Sequence, residues 1–323
     1  MEESNFKPLI ISERIIPSPS HLSDKARTML NPFPSPMSAP FPNLEDKNAW
    51  RTYVKTIDDA VLPITKKFAP EGKFSIESTE IDGTKVHIIT PEDIDPEDRT
   101  IIFDMHGGAL IFCGGEFVIE MAKLTASRLK KRVWSVDYRM APDYPFPAAL
   151  EDGKKVYKAL LEQRRPEEIV MHGLSAGGNL IAATLLKCRD EGMPLPAAII
   201  LQTPEVDLTE SGDSFLTNAA LDNYCGALMP VNLLYANGHD LKDPYVSPLF
   251  ADFTLGFPPT LLTTGTRDIF LSNTVRMHRA LRAANIPAEL HVMEAGPHGN
   301  LSSTDECEAI DQDVRKFIKK HTS

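Results

Sequence analysis

Five consecutive residues, Gly173-Leu174-Ser175-Ala176-Gly177, fit the pattern G-x-S-x-G. An apolar run, Ile169–His172, precedes them, and a helix-forming run from Ala176 to Glu191 follows. That setting gives the pattern meaning. A sharp strand-to-helix turn strains the serine backbone and presents its Oγ at the C-terminal edge of a sheet. Side chains two positions to either side would clash, so glycine is needed at 173 and 177. The bland alternative, small residues in an ordinary βα turn, is disfavoured by the strand before and the helix after. The helix opening at Ala176 also aims its first amides at that edge, which favours an anion.

A second glycine-bearing stretch, His106-Gly107-Gly108-Ala109, ends the apolar run Thr100–Met105. Successive glycines let backbone N–H groups turn toward one point with no Cβ in the way. Such donors stabilise charge that appears only in a transition state, and losing one costs roughly 3 kcal/mol. The expected donors are the amides of Gly107, Gly108 and Ala176. His106 is read as structural, its ring pinning the loop by a hydrogen bond.

A serine nucleophile needs a base, and imidazole has an ordinary pKa near 6.5. Of nine histidines, His298 is the best placed, because Gly296-Pro297-His298-Gly299 follows the strand pattern Ala288–Met293. His291 falls inside that strand, His278 on a helix, His321 in the tail, and His172 beside the serine with its ring on the sheet. The orienting carboxylate is expected at Asp268, just after the strand pattern Thr260–Gly265, with Glu294 and Asp207 as rivals. The order Ser175, Asp268, His298 is then nucleophile, acid, base.

These residues need a sheet to carry them. Asp82-Gly83, between Ser75–Ile81 and Thr84–Thr90, is a hairpin signal for a type I′ turn. Strand patterns at Thr100–Met105, Arg132–Asp137, Ile169–His172, Ala197–Thr203, Thr260–Gly265 and Ala288–Met293 then alternate with helical ones. The helices are expected at Glu116–Lys130, Pro147–Gln163, Ala176–Glu191, Ser272–Asn285 and Glu306–Lys320. Alternation with continuous Val/Ile/Leu runs predicts an α/β fold: a mostly parallel, twisted central sheet with helices on both faces. The stretch Asp207–Asp240 breaks the alternation and reads as an inserted helical element. Before the sheet, eight of 26 prolines fall in the first 42 residues, which predicts an irregular arm with short helices. Leu44–Phe68 then reads as a helix with apolar residues at Trp50, Tyr53, Val54, Ile57, Val61 and Ile64. The expected division is 1–73 as one part of a helical cap, 74–206 and 241–323 as the core, and 207–240 as the other part of the cap.

With 323 residues the chain can bury about three quarters of its unfolded surface, enough for a core without disulfides or metals. Thirty-four basic against 45 acidic residues leave a charge of −11, which argues against nucleic-acid binding. No run of eighteen apolar residues appears, and Met1-Glu2-Glu3 is acidic where a secretory signal is basic, so a cytoplasmic protein without membrane insertion is expected. Cys113, Cys188, Cys225 and Cys307 have no CxxC spacing and read as reduced thiols. No metal or cofactor motif occurs.

Together the stretches resemble the hormone-sensitive-lipase-like branch (bacterial family IV) of the α/β-hydrolase superfamily. The resemblance rests on HGGA at 106–109, GLSAGG at 173–178, Asp137-Tyr138-Arg139-Met140-Ala141-Pro142 and Phe146-Pro147-Ala148-Ala149-Leu150-Glu151-Asp152. Asp243-Pro244-Tyr245-Val246-Ser247-Pro248 and Phe257-Pro258-Pro259-Thr260 add to it, and coverage runs from about residue 74 to 320. It implies a serine carboxylesterase acting through a Ser-His-Asp acyl-enzyme, without metal or cofactor, on short- to medium-chain esters. A homodimer is also implied. A lactone hydrolase would use the same triad, and a non-catalytic ligand receptor is known on the same fold. The cap would contribute Phe33, Phe41, Trp50, Tyr224 and Met229 to an apolar substrate pocket, or those residues only pack the cap onto the core. Arg139 and Glu151 are expected to tie loops together. Three departures from the branch stand out: Ala109 replaces a glycine, Leu174 a carboxylate and Asn300 a phenylalanine.

Overall fold

Alternate residues of the strand Ile101–Met105 point to opposite sides, and all five are buried. Ile101, Phe103 and Met105 join one buried cluster while Ile102 joins another. Such a strand is buried on both faces, and it sits inside an eight-stranded sheet. The computed structural model describes residues 10, 13, 15–31, 40–67, 70 and 72–322.

The strands are β1 (Phe74–Ile81), β2 (Thr84–Pro91), β3 (Ile101–Met105), β4 (Arg132–Asp137), β5 (Ile169–Leu174), β6 (Ala198–Gln202), β7 (Thr260–Gly265) and β8 (Ala288–Met293). Their order is β1-β2-β4-β3-β5-β6-β7-β8. β1 pairs antiparallel with β2 and β2 with β4; every later pair is parallel. The β1–β2 turn has Asp82 at φ 47° and Gly83 at φ 81°, the two left-handed residues a type I′ turn requires.

The helices are α1 (Asp24–Met29), α2 (Lys47–Lys67), α3 (Glu116–Leu129), α4 (Ala148–Leu161), α5 (Ala176–Asp190), α6 (Ser214–Thr217), α7 (Met229–Ala236), α8 (Leu271–Ala283) and α9 (Asp305–His321). Helices α4, α5 and α8 cover one face of the sheet with Leu160, Leu185 and Leu281. Helices α3 and α9 cover the other with Ala122, Ala126, Val314 and Phe317. Because β3, β5, β6, β7 and β8 run parallel, their C-terminal ends open on one rim, where open α/β sheets place their sites.

Two segments stand outside this layering. The stretch 207–240 carries only the short helices α6 and α7, joined by turns. Helix α2 packs Trp50 and Ile57 against Phe215, Leu228, Val231 and Leu234 of that stretch, and against Ala109 and Phe112 beyond β3. Helix α1 sits elsewhere: Leu22, Ala26 and Leu30 pack on Met293, Ala295, Leu301 and Cys307. The Ser23 amide and hydroxyl also donate to Glu306 at the start of α9.

Trp50 is fully buried, with Phe41 stacked on it at 5.9 Å and Tyr53 edge-on at 5.9 Å. Its indole N–H has no acceptor among the described residues, so packing alone holds it. Trp50→Ala is expected to cost about 3–5 kcal/mol of stability. Trp50→Phe should cost much less, since no hydrogen bond is lost. Urea unfolding of the two variants measures the difference.

Candidate active site

Ser175 has φ 57° and ψ −122°, a conformation L-residues rarely adopt, between the end of β5 and the start of α5. Sterics hold it there. A Cβ on Gly173 would lie 2.3 Å from the Gly177 carbonyl oxygen, and a Cβ on Gly177 would lie 1.9 Å from the Met105 carbonyl oxygen. The Ser175 amide donates to the Gln202 carbonyl at 2.9 Å, fixing the turn to the end of β6.

The imidazole of His298 reaches this serine from the loop after β8. His298 Nε2 is 2.9 Å from Ser175 Oγ, and His298 Nδ1 is 3.2 Å from Asp268 Oδ1. Asp268 is wholly buried after β7, and its carboxylate is aimed by two more donors. Thr264 Oγ1 donates to Oδ2 at 2.7 Å and the Phe270 amide to Oδ1 at 2.9 Å. The Phe270 ring meets His298 edge-on at 4.9 Å and limits how the imidazole can rotate. Residues from three strand ends thus meet in one chain of hydrogen bonds.

The rival carboxylates lie outside this chain of hydrogen bonds. Glu294 is exposed. Asp207 accepts from Thr209 and Ser211, and from Arg276 at 2.6 Å.

The loop after β3 lies against the serine turn. A Cβ on Gly107 would be 3.0 Å from the Leu174 carbonyl oxygen and 3.4 Å from Ser175 Cβ. Gly108 sits at φ 129°, and a Cβ there would be 2.3 Å from the Phe112 carbonyl oxygen. Its own carbonyl accepts from the Ile111 and Phe112 amides, closing a tight turn. His106 pins this loop. Its Nδ1 donates to the Gly107 carbonyl at 2.7 Å, and its ring stacks on Tyr138 at 4.1 Å. Burial pulls the His106 pKa below its ordinary value, so it stays neutral. His172 makes a buried contact of 2.7 Å with Asp104, which also accepts from Ser135.

The departures from the branch have local reasons. A Cβ added at Gly107 would meet Leu174 Cγ at 3.6 Å, so the leucine stands beside the loop where the branch has a carboxylate. The Ala109 methyl belongs to the cluster around Trp50. Asn300 takes φ 62°, which suits asparagine, and its Nδ2 reaches Thr263 Oγ1 at 3.4 Å. The Arg139 tie runs to Asp152, with Nη2 and Nε on its carboxylate, whereas Glu151 pairs with Lys154. The expected tie through Glu151 is thus corrected by one position: Asp152 is the buried acid on α4.

Of the expected pocket residues, Phe41 and Trp50 pack in the α2 cluster, and Tyr224 and Met229 are half-buried on the insertion. Phe33 lies outside the described residues.

Two residues of the insertion, Asn218 and Asp222, also touch the site, and no motif announces them. Asp222 Oδ2 accepts from the Ile269 amide at 2.9 Å and the His298 amide at 3.1 Å. Asn218 Nδ2 donates to the carbonyls of Thr266 and Asp268. They lie between α6 and α7 in a stretch without periodicity, so no signal in the sequence marks them.

Burial by itself would push the His298 pKa down. The hydrogen bond and charge of Asp268, with the charges of Asp222 and Glu205, outweigh it and hold the imidazole above 6.5. Burial pushes the Glu205 carboxyl up to about 8, against the pull of His298.

A mixed sheet of this order with a strained serine after its central strand defines the α/β-hydrolase class. The sequence profile of the alpha/beta hydrolase fold family matches residues 102–302. An esterase of Acinetobacter venetianus is 36% identical over 58% of this chain, and an acetyl-hydrolase of Streptomyces hygroscopicus 31% identical over 59%. The matches span 62% and 64% of those relatives' own lengths. A crystal structure of an esterase superposes with a TM-score of 0.89 at 35% identity, covering 97% of this chain and 99% of that one. An esterase from the bacterial hormone-sensitive lipase family superposes at 0.76 with 27% identity, covering 89% and 95%. The chain belongs to the alpha/beta hydrolase fold family, in its hormone-sensitive-lipase-like branch.

Proposed function

We propose that the protein is a serine carboxylesterase hydrolysing short- to medium-chain carboxylic esters. The observation that carries this reading is the chain Ser175 Oγ, His298 Nε2, His298 Nδ1, Asp268 Oδ1, with links of 2.9 and 3.2 Å. The esterase and acetyl-hydrolase relatives support the same reaction class.

In this reading His298 Nε2 takes the Ser175 proton as Oγ adds to the ester carbonyl. The amides of Gly107, Gly108 and Ala176 receive the developing oxyanion. His298 then passes the proton to the leaving alcohol, and an acyl group remains on Ser175. Water, deprotonated by His298, releases the acid and restores the serine. Asp268 keeps the imidazole in the tautomer with its proton on Nδ1. Helix α2 and the insertion 207–240, joined through Trp50, serve as the cap over this rim.

The test is a panel of p-nitrophenyl esters of increasing acyl length, with lactones alongside. Turnover that is highest for short chains is expected. A protein that hydrolyses none of the esters overturns the reading, and preference for the lactones replaces the substrate class.

The base must be neutral, and its pKa is raised, so kcat/KM should fall as pH drops through a midpoint above 6.5. Well below that midpoint the loss should approach tenfold per pH unit. A pH–rate profile at low substrate measures it, and a rate flat down to pH 5 excludes His298 as the base.

A further inference from the structure

The insertion enters the site through its backbone contacts as well as its apolar face. Asp222 accepts four amide hydrogen bonds. Oδ1 takes those of Tyr224 at 2.9 Å and Cys225 at 3.1 Å, which closes its own turn. Oδ2 takes those of Ile269, next to the acid, and of His298, the base itself. Four residues earlier, Asn218 holds the carbonyls of Thr266 and Asp268 at 3.2 and 2.9 Å, and the Asp222 amide donates back to the Asn218 carbonyl. Both side chains are buried, at 6% and 7% exposure. Acid and base loops, joined directly by the Arg267 amide to the Gly296 carbonyl at 3.0 Å, are bridged a second time by one short segment of the insertion.

We propose that Asn218 and Asp222 are positioning residues for the triad: they lock the acid turn to the base loop, and the Asp222 carboxylate supports the positive imidazole that forms during turnover. This rests on the esterase reading. Burial pushes the Asp222 carboxyl above its ordinary range, while His298 and the amides of Ile269 and Tyr224 pull it back down, and four amide donors suit a carboxylate better than a carboxylic acid. The titratable groups facing His298 come from three elements: Asp268 after β7, Asp222 on the insertion and Glu205 after β6. Burial pushes the Glu205 carboxyl up to about 8, and Glu205 is unchanged in every variant, so the shift of the acid limb between variants reports the Asp222 charge.

The experiment compares Asp222→Asn, Asp222→Ala and Asn218→Ala with wild type on p-nitrophenyl butyrate, recording kcat, KM, the acid limb of kcat/KM and melting temperature. A displacement of about 1 Å at a reacting group costs about 100-fold, so a loss of that order in kcat is expected for Asp222→Ala, with KM little changed. About tenfold is expected for Asn218→Ala, which removes bonds to one loop only. In the Asp222 variants the acid limb should move to lower pH, because a negative charge beside His298 is gone. A purely structural role would not move it. An acid limb left in place in a folded Asp222→Asn variant overturns the proposal, whatever its kcat. Should neither Asp222 variant fold, Asn218→Ala decides: loss of kcat at wild-type melting temperature supports the proposal, and wild-type kcat overturns it. If wild type itself turns over no ester, the esterase reading has failed instead. The downfield NMR signal of the His298 Nδ1 proton then tests positioning alone: its loss in Asp222→Asn supports the proposal and its retention overturns it.

Discussion

Replacing Ser175 with alanine is expected to lower kcat about 10⁶-fold on short p-nitrophenyl esters while leaving the melting temperature near that of wild type. Loss of the nucleophile in an unrelated serine hydrolase sets that scale, because base and acid have nothing to activate once the hydroxyl is gone. The residual rate comes from the oxyanion donors and from binding. The fold should tolerate the change. Among the described residues Ser175 Oγ hydrogen-bonds to the imidazole alone, at 2.9 Å, and the strained turn is set by Gly173, Gly177 and the bond from the Ser175 amide to Gln202. Alanine in the same backbone conformation loses no packing and relieves no clash. Measured kcat within tenfold of wild type would place the nucleophile elsewhere.

Asp268→Asn carries the second large effect, about 10⁴-fold in kcat with KM little altered. The amide is nearly isosteric, so geometry survives while chemistry does not. Asp268 Oδ1 accepts from the Phe270 amide and Oδ2 from Thr264, and His298 Nδ1 completes the set. An asparagine must turn its NH₂ toward one of these donors. If it faces His298, the imidazole proton moves to Nε2, where it cannot accept from Ser175. The variant also loses the largest influence holding the His298 pKa up, so its acid limb should shift to lower pH. Steady-state rates across pH measure both effects in one experiment. A variant that keeps wild-type kcat at neutral pH shows that another group orients the base.

How much of this was legible in the residues depends on the range of the interaction that fixes each feature. The serine turn reads out locally. The atoms that forbid side chains at 173 and 177 belong to the turn itself and to the end of β3 beside it. The strands β3 and β5 read out because each puts apolar residues on both faces, and the β1–β2 turn because Asp-Gly accepts two positive φ values. Asp268 and His298 stand one loop after a strand pattern, so a parallel sheet suffices to bring them to the same rim.

Asn218 and Asp222 show where such reading stops. They lie between two short helices in a stretch without periodicity, and their partners sit 50 and 76 positions away in sequence. Nothing in their neighbours marks them, because their work is done through backbone amides and carbonyls that every residue carries. Arg139 is a milder case. A charged pair at Glu151-Asp152 offers two partners, and only the pitch of α4 decides that Asp152 is the one turned inward. Helix α1 differs again. Its apolar residues demand a partner, yet only the folded chain shows that the partner is the segment from Met293 to Cys307.

The strand order has a consequence for biosynthesis. The hydroxyl is carried by β5, near the middle of the sheet, and its acid and base follow β7 and β8, the last two strands to leave the ribosome. A nascent chain can therefore fold its elbow early while the serine remains an ordinary, unreactive alcohol. On the esterase reading, reactivity is expected only once the final edge strand docks, so chains terminated upstream of residue 298 should hydrolyse no ester.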